Sequence, residues 1–294
     1  MEAWVVGLVA ISAVLHLAWN VRLKTAGDPL RAATIGMVAA TFAIVPIGVG
    51  AWLLGAQPAL PVRGIVLGLA SGVVEAAYFI LLAAAYRRGD LSVVYPVARG
   101  TAPLLAVAVG VLLFGERLGV AGSVGVIALL IGYLWLQRPW RAIAAARSSS
   151  GARAAAAESA VLFALATGVM IATYTAIDRL GSREMDVLTY AAILWVTCSI
   201  ALVVWVSFVA GGGVLRDGPD AARRAALGGY LTLGAYLCIL IALSVAPLRE
   251  SATVFAAAWG SVRLGEASDR NELVRRVGAS VLIVGGALLL AIGS

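Results

Sequence analysis

The stretch VRGIVLGLASGVVEAAYFILLAAAYR, residues 62–87, decides the fold class of this chain. Its only charged residues are Arg63 near one end, Arg87 at the other and Glu75 between them. A helix of about 20 such residues crosses a hydrocarbon core about 30 Å thick. Similar stretches recur along all 294 residues, of which 62% are hydrophobic and 13% charged. The sequence therefore predicts one integral membrane body with no soluble domain.

Apolar runs bounded by Arg, Gly, Pro and Asp clusters predict ten transmembrane helices. The first begins directly after an acidic leader without a cleavage site, so we expect it to stay in the mature protein. Lipid offers the backbone no hydrogen-bond partners, and alternating strand patterns are absent, which favours a helical bundle over a barrel. The approximate spans are 3–24, 30–54, 62–87, 91–114, 119–137, 158–179, 186–210, 222–246, 248–264 and 271–292.

A repeat divides the ten spans into two units of five. An Arg/Ser/Ala-rich linker, 138–157, separates residues 1–137 from residues 158–294. The segment GVLLFGE at 110–116 matches GSVRLGE at 260–266. Because each unit has five helices, the second is inverted relative to the first, an architecture found in secondary transporters. The predicted fold is an all-α membrane protein with a 5+5 inverted repeat.

Five short motifs carry a family resemblance that covers nearly the whole chain. These motifs are HLAWN at 16–20, YRRGDLSVVYPVARGTAPLL at 86–105, FGERL at 114–118, TYTAID at 173–178 and APLRES at 246–251. Together they resemble the drug/metabolite transporter superfamily, in its ten-helix form with paired EamA-type repeats. The resemblance implies a central cavity lined mainly by helices one, three, four, six, eight and nine, and export or exchange of small metabolites. The ninth span departs from the family pattern because Arg263 interrupts it and a polar stretch follows.

Ionisable side chains deep in a span are costly, so each one marks a candidate functional site. Glu75 lies near the middle of its span, with Tyr78 and Phe79 on the same helix face. Its carboxyl group must face a cavity, find a cation or bind a proton, and the last suits a proton carrier. Arg99 lies inside the fourth span, where its guanidinium could bind a substrate carboxylate or phosphonate. The alternative is a structural ion pair between Arg99 and Glu75.

Other polar and aromatic residues complete the candidate site. The lone histidine lacks partners for a metal site, and it either joins two helices by a hydrogen bond or takes part in coupling. Asp178, near the end of the sixth span, is interpreted as an interfacial cap. The remaining candidates for the cavity and for coupling are His16, Asn20, Tyr78, Tyr95, Tyr174 and Glu250.

Composition and motifs also bound the function. The net charge of +7 comes mainly from Arg residues between apolar blocks, which indicates membrane-surface anchoring and no nucleic-acid partner. Cys198 and Cys238 have no paired spacing, and no nucleotide-binding loop, nucleophile set or metal constellation is present, so we expect neither an enzyme nor a cofactor.

We expect a secondary transporter in the cell membrane, with lipid and a small solute as partners. The solute is an amino-acid-like zwitterion or another organic anion, transport is proton-coupled or uncoupled, and the sequence is compatible with a homodimer. The alternatives are an exporter of drug-like organic cations, a scaffold or sensor that transports nothing and, with least support, an intramembrane enzyme.

The distribution of basic residues predicts an orientation. Sixteen of the 22 Lys and Arg residues lie in odd-numbered connections and five in even-numbered ones. Lys and Arg are retained on the cytoplasmic side. The odd connections, including the central linker, are therefore expected in the cytoplasm and both termini outside.

Overall fold

A computed structural model describes residues 3–55, 60–89, 119–138, 152–209 and 213–245, with isolated residues at 94–115, 140, 144, 211 and 278–289. Over these residues the protein is helical and contains no strand. Its long helices are α1 (Ala3–Lys24), α2 (Pro29–Leu54), α3 (Val62–Arg88), α4 (Val120–Gln137), α5 (Ala152–Glu184), α6 (Val187–Val204) and α7 (Pro219–Val245). A π-helical turn, Trp205–Val209, extends α6.

Five of these helices, α2, α3, α5, α6 and α7, are long and apolar enough to cross a membrane. The predicted all-helical fold is therefore confirmed, and these five helices support the prediction of a membrane protein. The predicted spans 248–264 and 271–292 fall wholly or largely outside the described residues, as does most of span 91–114. Both boundaries of α5 differ from the predicted span 158–179, because the helix starts at Ala152, inside the predicted linker, and continues to Glu184. The alanine-rich end of that linker has high helix propensity, which lengthens the helix toward its N-terminus.

Side-chain caps fix where two of the helices start. Asp28 Oδ1 accepts hydrogen bonds from the backbone amides of Leu30, at 3.0 Å, and Arg31, at 3.2 Å, and Pro29 occupies the first helical position of α2. Asp186 caps α6 in the same way, accepting from Leu188 and Thr189. Both caps satisfy amides that have no partner within the helix.

Contacts between helices fix their relative directions. Arg63, at the start of α3, pairs with Glu184, at the end of α5, at 3.1 Å. At the other end, Gly89 lies against Ala160 of α5, so α3 and α5 are antiparallel. Lys24 Nζ, at the end of α1, donates to the Gly89 carbonyl at 2.8 Å, so α1 and α3 end at the same side.

The remaining helices follow from close glycine contacts. Gly36 of α2 faces Ala225 and Gly229 near the start of α7, so α2 and α7 are parallel. Gly72 of α3 faces Leu194 of α6 and Gly48 of α2 faces Leu188 of α6, so α6 runs with α3 and against α2. Together α1, α3 and α6 run one way, and α2, α5 and α7 run the other way.

One end of the bundle is rich in basic residues, and we call it the arginine-rich end. It comprises the α1–α2 loop, the end of α3 and the start of α7. Its basic residues are Arg22, Lys24, Arg31, Arg87, Arg88, Arg216, Arg223 and Arg224. We call the other side, where α3 begins and α5 ends, the opposite end.

The core lies where α2, α3, α6 and α7 meet, and its largest fully buried side chains include Trp195, Tyr190 and Met37. Large apolar side chains cover the outside, as shown by Phe42, which is 77% exposed, and Val62, which is 76% exposed. An apolar exterior suits contact with lipid, because lipid leaves no hydrophobic cost for such exposure.

Candidate functional site

A cavity of about 770 Å³ lies between α1, α2 and α7 at the arginine-rich end. Exposed residues of the α1–α2 loop, such as Thr25, and of the segment before α7, such as Asp217, form its mouth. Gly36 and Gly229, which let α2 and α7 approach closely, line one wall. Its volume falls in the range of small-molecule sites in proteins.

The deep part of the cavity is apolar, apart from the indole N–H group of Trp19. Trp19, Met37 and Phe79 line it and are 4%, 1% and 3% exposed. The indole Nε1 of Trp19 is buried and has no hydrogen-bond acceptor among the described residues. A buried donor left unpaired costs about 1–3 kcal/mol, so this N–H group is a candidate contact for a ligand acceptor.

The mouth carries both signs of charge with an excess of positive charge. Its lining includes Arg22, Arg31, Arg216, Arg224, Asp28 and Asp217. Asp28 is already engaged, since Arg31 pairs with it at 2.8 Å and Arg87 also donates to it. Over the described residues, Arg22 and Arg224 form no ion pair. These guanidinium groups are therefore available to a negatively charged solute.

Two opposing effects act on Asp28 at this mouth. Burial by itself would raise the pKa of its carboxyl group, whereas hydrogen bonds from Arg87 and the Arg31 amide, with both positive charges, lower it. The net result is a pKa below the ordinary value. Asp28 is thus held as an anion that fixes Arg31 at the cavity wall.

An aromatic layer closes the inner end of the cavity and connects three helices. The ring centroids of Trp19 and Phe79 are 5.9 Å apart, those of Phe79 and Tyr78 are 4.9 Å apart, and those of Tyr78 and Tyr174 are 5.7 Å apart. The layer therefore runs from α1 through α3 to α5. Tilted and edge-to-face geometries of this kind are favourable for aromatic pairs.

Beneath this layer, toward the opposite end, lies a buried acid centre. Asp178 of α5 is 2% exposed and accepts three hydrogen bonds from hydroxyl groups. Ser71 Oγ donates to it at 2.5 Å, Tyr190 at 2.9 Å and Tyr236 at 2.6 Å. The interpretation of Asp178 as an interfacial cap is therefore wrong, since its carboxyl group joins α5 to α3, α6 and α7 inside the bundle.

Glu75 belongs to the same centre. It is 5% exposed, and its Oε2 atom is buried without a hydrogen-bond partner among the described residues. It lies one helical turn from Ser71, which donates a hydrogen bond to Asp178. The predicted ion pair with Arg99 lies outside the described residues.

The other predicted site residues are distributed over the bundle. Tyr78 and Tyr174 meet in the aromatic layer, and Tyr95 is buried at 5% exposure. Asn20 accepts from Tyr86 Oη at 2.8 Å and donates to the His16 carbonyl, while His16 Nδ1 contacts Ser12. The cavity lining includes neither His16 nor Asn20. Glu250 lies outside the described residues.

Four residues of this region were missed as candidates: Trp19, Tyr190, Tyr236 and Ser71. Trp19 was visible in the HLAWN motif, but helix periodicity alone does not tell which face of α1 meets a cavity. Tyr190 and Tyr236 are far apart in sequence, and only the packing of α6 and α7 brings both to Asp178.

Comparison with known proteins bears on the fold. The chain is similar over 99% of its length to 98% of a chain of known crystal structure, described only as a protein, with 22% sequence identity and a TM-score of 0.67. In all, 23 chains of known structure match. No protein-family model matches this sequence, and no curated protein does. The chain thus shares its helical fold with solved structures.

Proposed function

We propose that this chain is a secondary transporter of a small zwitterionic or anionic metabolite, built as a 5+5 inverted repeat like the drug/metabolite transporter superfamily that its motifs resemble. The observation that carries the proposal is the cavity, which leads from a charged mouth to Trp19, whose buried indole N–H group has no acceptor among the described residues. A scaffold has no need of such a cavity. A transporter needs one that reaches into the bundle from a single side.

Helix directions support the inverted repeat. In the proposed arrangement α1, α2 and α3 correspond to α5, α6 and α7, and each helix runs opposite to its counterpart. The main packed pairs are α3 with α5, α1 with α7, α2 with α6, α2 with α7, and α3 with α6. Exchanging each helix for its counterpart reproduces this same set of pairs, as a two-fold axis in the membrane plane requires.

The cavity chemistry supports the solute class. Free guanidinium groups of Arg22 and Arg224 at the mouth attract a carboxylate or phosphonate, and Asp217 offers an acceptor for an ammonium group. Deeper in the cavity, Phe79 and Met37 accommodate an apolar side chain. An amino-acid-like zwitterion satisfies all three regions at once.

The aromatic part of the lining favours the second candidate, a drug-like organic cation. The faces of Trp19 and Phe79 are suited to cation–π contacts. The surplus of positive charge at the mouth disfavours this solute, since a cation must pass the arginines to enter.

The test is flux of a labelled solute into vesicles that contain the purified protein. Radiolabelled phenylalanine serves as the zwitterion and tetraphenylphosphonium as the cation. We expect phenylalanine flux, and we expect Trp19→Phe to weaken binding roughly tenfold, since one hydrogen bond to a charged acceptor is lost. Trp205→Phe is the matched control, because Trp205 lies outside the cavity lining and is 38% exposed.

Three outcomes are informative. If Trp19→Phe and Trp205→Phe change phenylalanine binding equally, Trp19 does not belong to the binding site. Flux of tetraphenylphosphonium alone would replace the zwitterion by the cation. No flux of either solute, nor of a wider amino-acid panel, with protein that is folded and inserted would refute transport of this solute class.

A further inference from the structure

The acid centre is separate from the cavity, and its geometry indicates a chemistry of its own. In the antiparallel pair α3 and α5, Ser71 contacts Asp178 and, further along, Tyr78 contacts Tyr174. Glu75 lies between these two contacts on α3. The fold therefore places two buried carboxyl groups within about one helical turn of the Ser71–Asp178 contact, directly beneath the aromatic layer.

We propose that Asp178 and Glu75 together form a binding site for one exchangeable proton, and that this proton is the coupling ion of the transporter. The second half of this statement rests on the proposed function, whereas the proton site itself does not. No covalent chemistry is involved, since the proton enters from water on one side and leaves to water on the other.

The hydrogen-bond pattern assigns different roles to the two carboxyl groups. Three hydroxyl donors surround Asp178, an arrangement that stabilises a carboxylate. Glu75 Oε2 has no donor among the described residues, so it is an open acceptor for a proton. Two adjacent anions in an apolar interior repel strongly, and one proton bound by the pair removes that repulsion.

The same pattern favours a proton over a metal ion. The hydroxyl groups around Asp178 direct their hydrogen atoms at the carboxylate, whereas a metal ligand must direct lone pairs at the ion. Among the described residues no group of three or more His, Cys, Asp or Glu side chains has the arrangement of a metal site.

Apart from α3 and α5, which carry the pair itself, the titratable groups around it come from α6 and α7. Tyr190 of α6 and Tyr236 of α7 donate hydrogen bonds to Asp178, and Cys198, also on α6, is fully buried. Arg179 follows Asp178 on α5, but neighbouring residues of a helix do not face each other. Over the described part of the chain, the groups that contact Asp178 directly are therefore neutral hydroxyls.

Proton binding at this site has a mechanical consequence. The hydrogen bonds of Asp178 hold α5 against α3, α6 and α7. When the proton moves onto Asp178, one of its oxygen atoms changes from an acceptor to a donor, so the hydroxyl group bonded there must turn its own hydrogen atom away and accept instead. The proton thereby controls how firmly these helices pack on the side away from the cavity.

Infrared spectroscopy of the purified protein in lipid vesicles tests the site without any substrate. We expect the wild type to show the carbonyl stretching band of a buried, protonated carboxyl group in the neutral pH range. Glu75→Gln should abolish this band, and Asp178→Asn should alter its frequency or its pH dependence. Glu158→Gln and Asp220→Asn are controls at exposed carboxyl groups and should leave it unchanged.

A milder pair of variants keeps the test valid if the acidic substitutions prevent folding. Tyr236→Phe removes one donor to Asp178 and should shift the band, whereas Tyr230→Phe, at a residue of the same helix that is 48% exposed, should not. A wild type without the band would overturn the proposal. A band that persists in both Glu75→Gln and Asp178→Asn would overturn it as well. Recovery, in the double variant Glu75→Gln/Arg99→Gln, of stability lost in the single variants would also overturn it, because it would identify an ion pair between Glu75 and Arg99.

Vesicle flux separates this proposal from the proposed function. With a working site, a pH gradient should concentrate phenylalanine in wild-type vesicles and should fail to do so with Glu75→Gln, which equilibrates the solute. If wild-type flux is independent of pH while the infrared band is normal, the protein has a proton site that is not coupled to transport. That result would refute the proposal that this proton is the coupling ion. A normal band with no flux at all would count against the transporter and not against the site.

Discussion

Replacing Gly229 by alanine should force α2 and α7 apart. A Cβ atom at position 229 would lie 1.9 Å from the carbonyl oxygen of Gly36 and 2.5 Å from its Cα atom, whereas ordinary contact begins at about 3.4 Å. The helices must therefore separate by roughly 1.5 Å along this contact, a displacement that breaks close packing on both sides. Neither atom can move aside on its own, because both belong to helical backbone.

The neighbouring glycine provides a matched control. A Cβ atom at Gly228 would meet no atom within 4 Å, so Gly228→Ala should stabilise the helix by about 0.5–1 kcal/mol through reduced backbone entropy. Gly229→Ala gains the same term but loses about 1–3 kcal/mol or more through overpacking. Relative to the control, we expect an apparent Tm lower by roughly 5 °C.

The assay is thermal unfolding of the two detergent-purified variants, followed by size-exclusion chromatography of the heated samples. Equal Tm values for Gly228→Ala and Gly229→Ala would refute the close contact between α2 and α7. A stabilised Gly229→Ala would do so more strongly, because a side chain would then have room where the structure has none.

Two other predictions concern the arginine-rich end. Asp28→Asn keeps the helix cap but removes the charge that Arg31 and Arg87 stabilise, so it should cost about 1 kcal/mol at neutral pH. The folded-state pKa of Asp28 lies below the unfolded value of about 3.9, so this difference in stability from wild type is fully present above that pH and should vanish as the pH falls below it. Thermal unfolding of both proteins from pH 7 to pH 3 measures the difference. A difference that stays constant with pH would contradict the role of the Asp28 charge. For orientation, in a protein without its native cysteines, Gly213→Cys should resist a membrane-impermeant thiol reagent in intact cells while Leu60→Cys, at the opposite end, reacts; the reverse pattern would place the cavity mouth outside the cell.

The helices themselves were predictable, because hydrophobic length is a strong signal. The stretch 62–87 corresponds to α3 at Val62–Arg88, and the predicted span 186–210 corresponds to α6 with its π-helical turn, which end at Val209. The start of α5 was less predictable. Alanine-rich sequence next to arginine and serine is compatible with both a loop and a helix that extends beyond the membrane.

Residue roles were harder to predict, because they depend on which helix faces meet. Glu75 was identified correctly as buried, since a carboxyl group in the middle of an apolar run must be shielded from lipid by the rest of the bundle. Asp178 lies only six residues from the end of α5, where a capping role is the simpler interpretation. Its burial results from Tyr190 and Tyr236, which approach from other helices and leave no trace in the local sequence.

The positions of the cavity and of the acid centre make sense together under the proposed inverted repeat. The cavity lies between the end of α1, the start of α2 and the first half of α7. The counterparts of these segments are the end of α5, the start of α6 and the first half of α3, which contain Asp178, Tyr190 and Ser71 respectively. The acid centre therefore occupies, at the opposite end, the place that the cavity occupies at the arginine-rich end.

In a protein that alternates between two related conformations, opening the opposite end requires the hydrogen bonds of Asp178 to break, because they close the position where the second cavity would form. A carboxyl group whose hydrogen bonds depend on its proton can link that opening to proton binding. Tyr236→Phe removes one of the three hydrogen bonds to Asp178 and should therefore favour the conformation that is open at the opposite end.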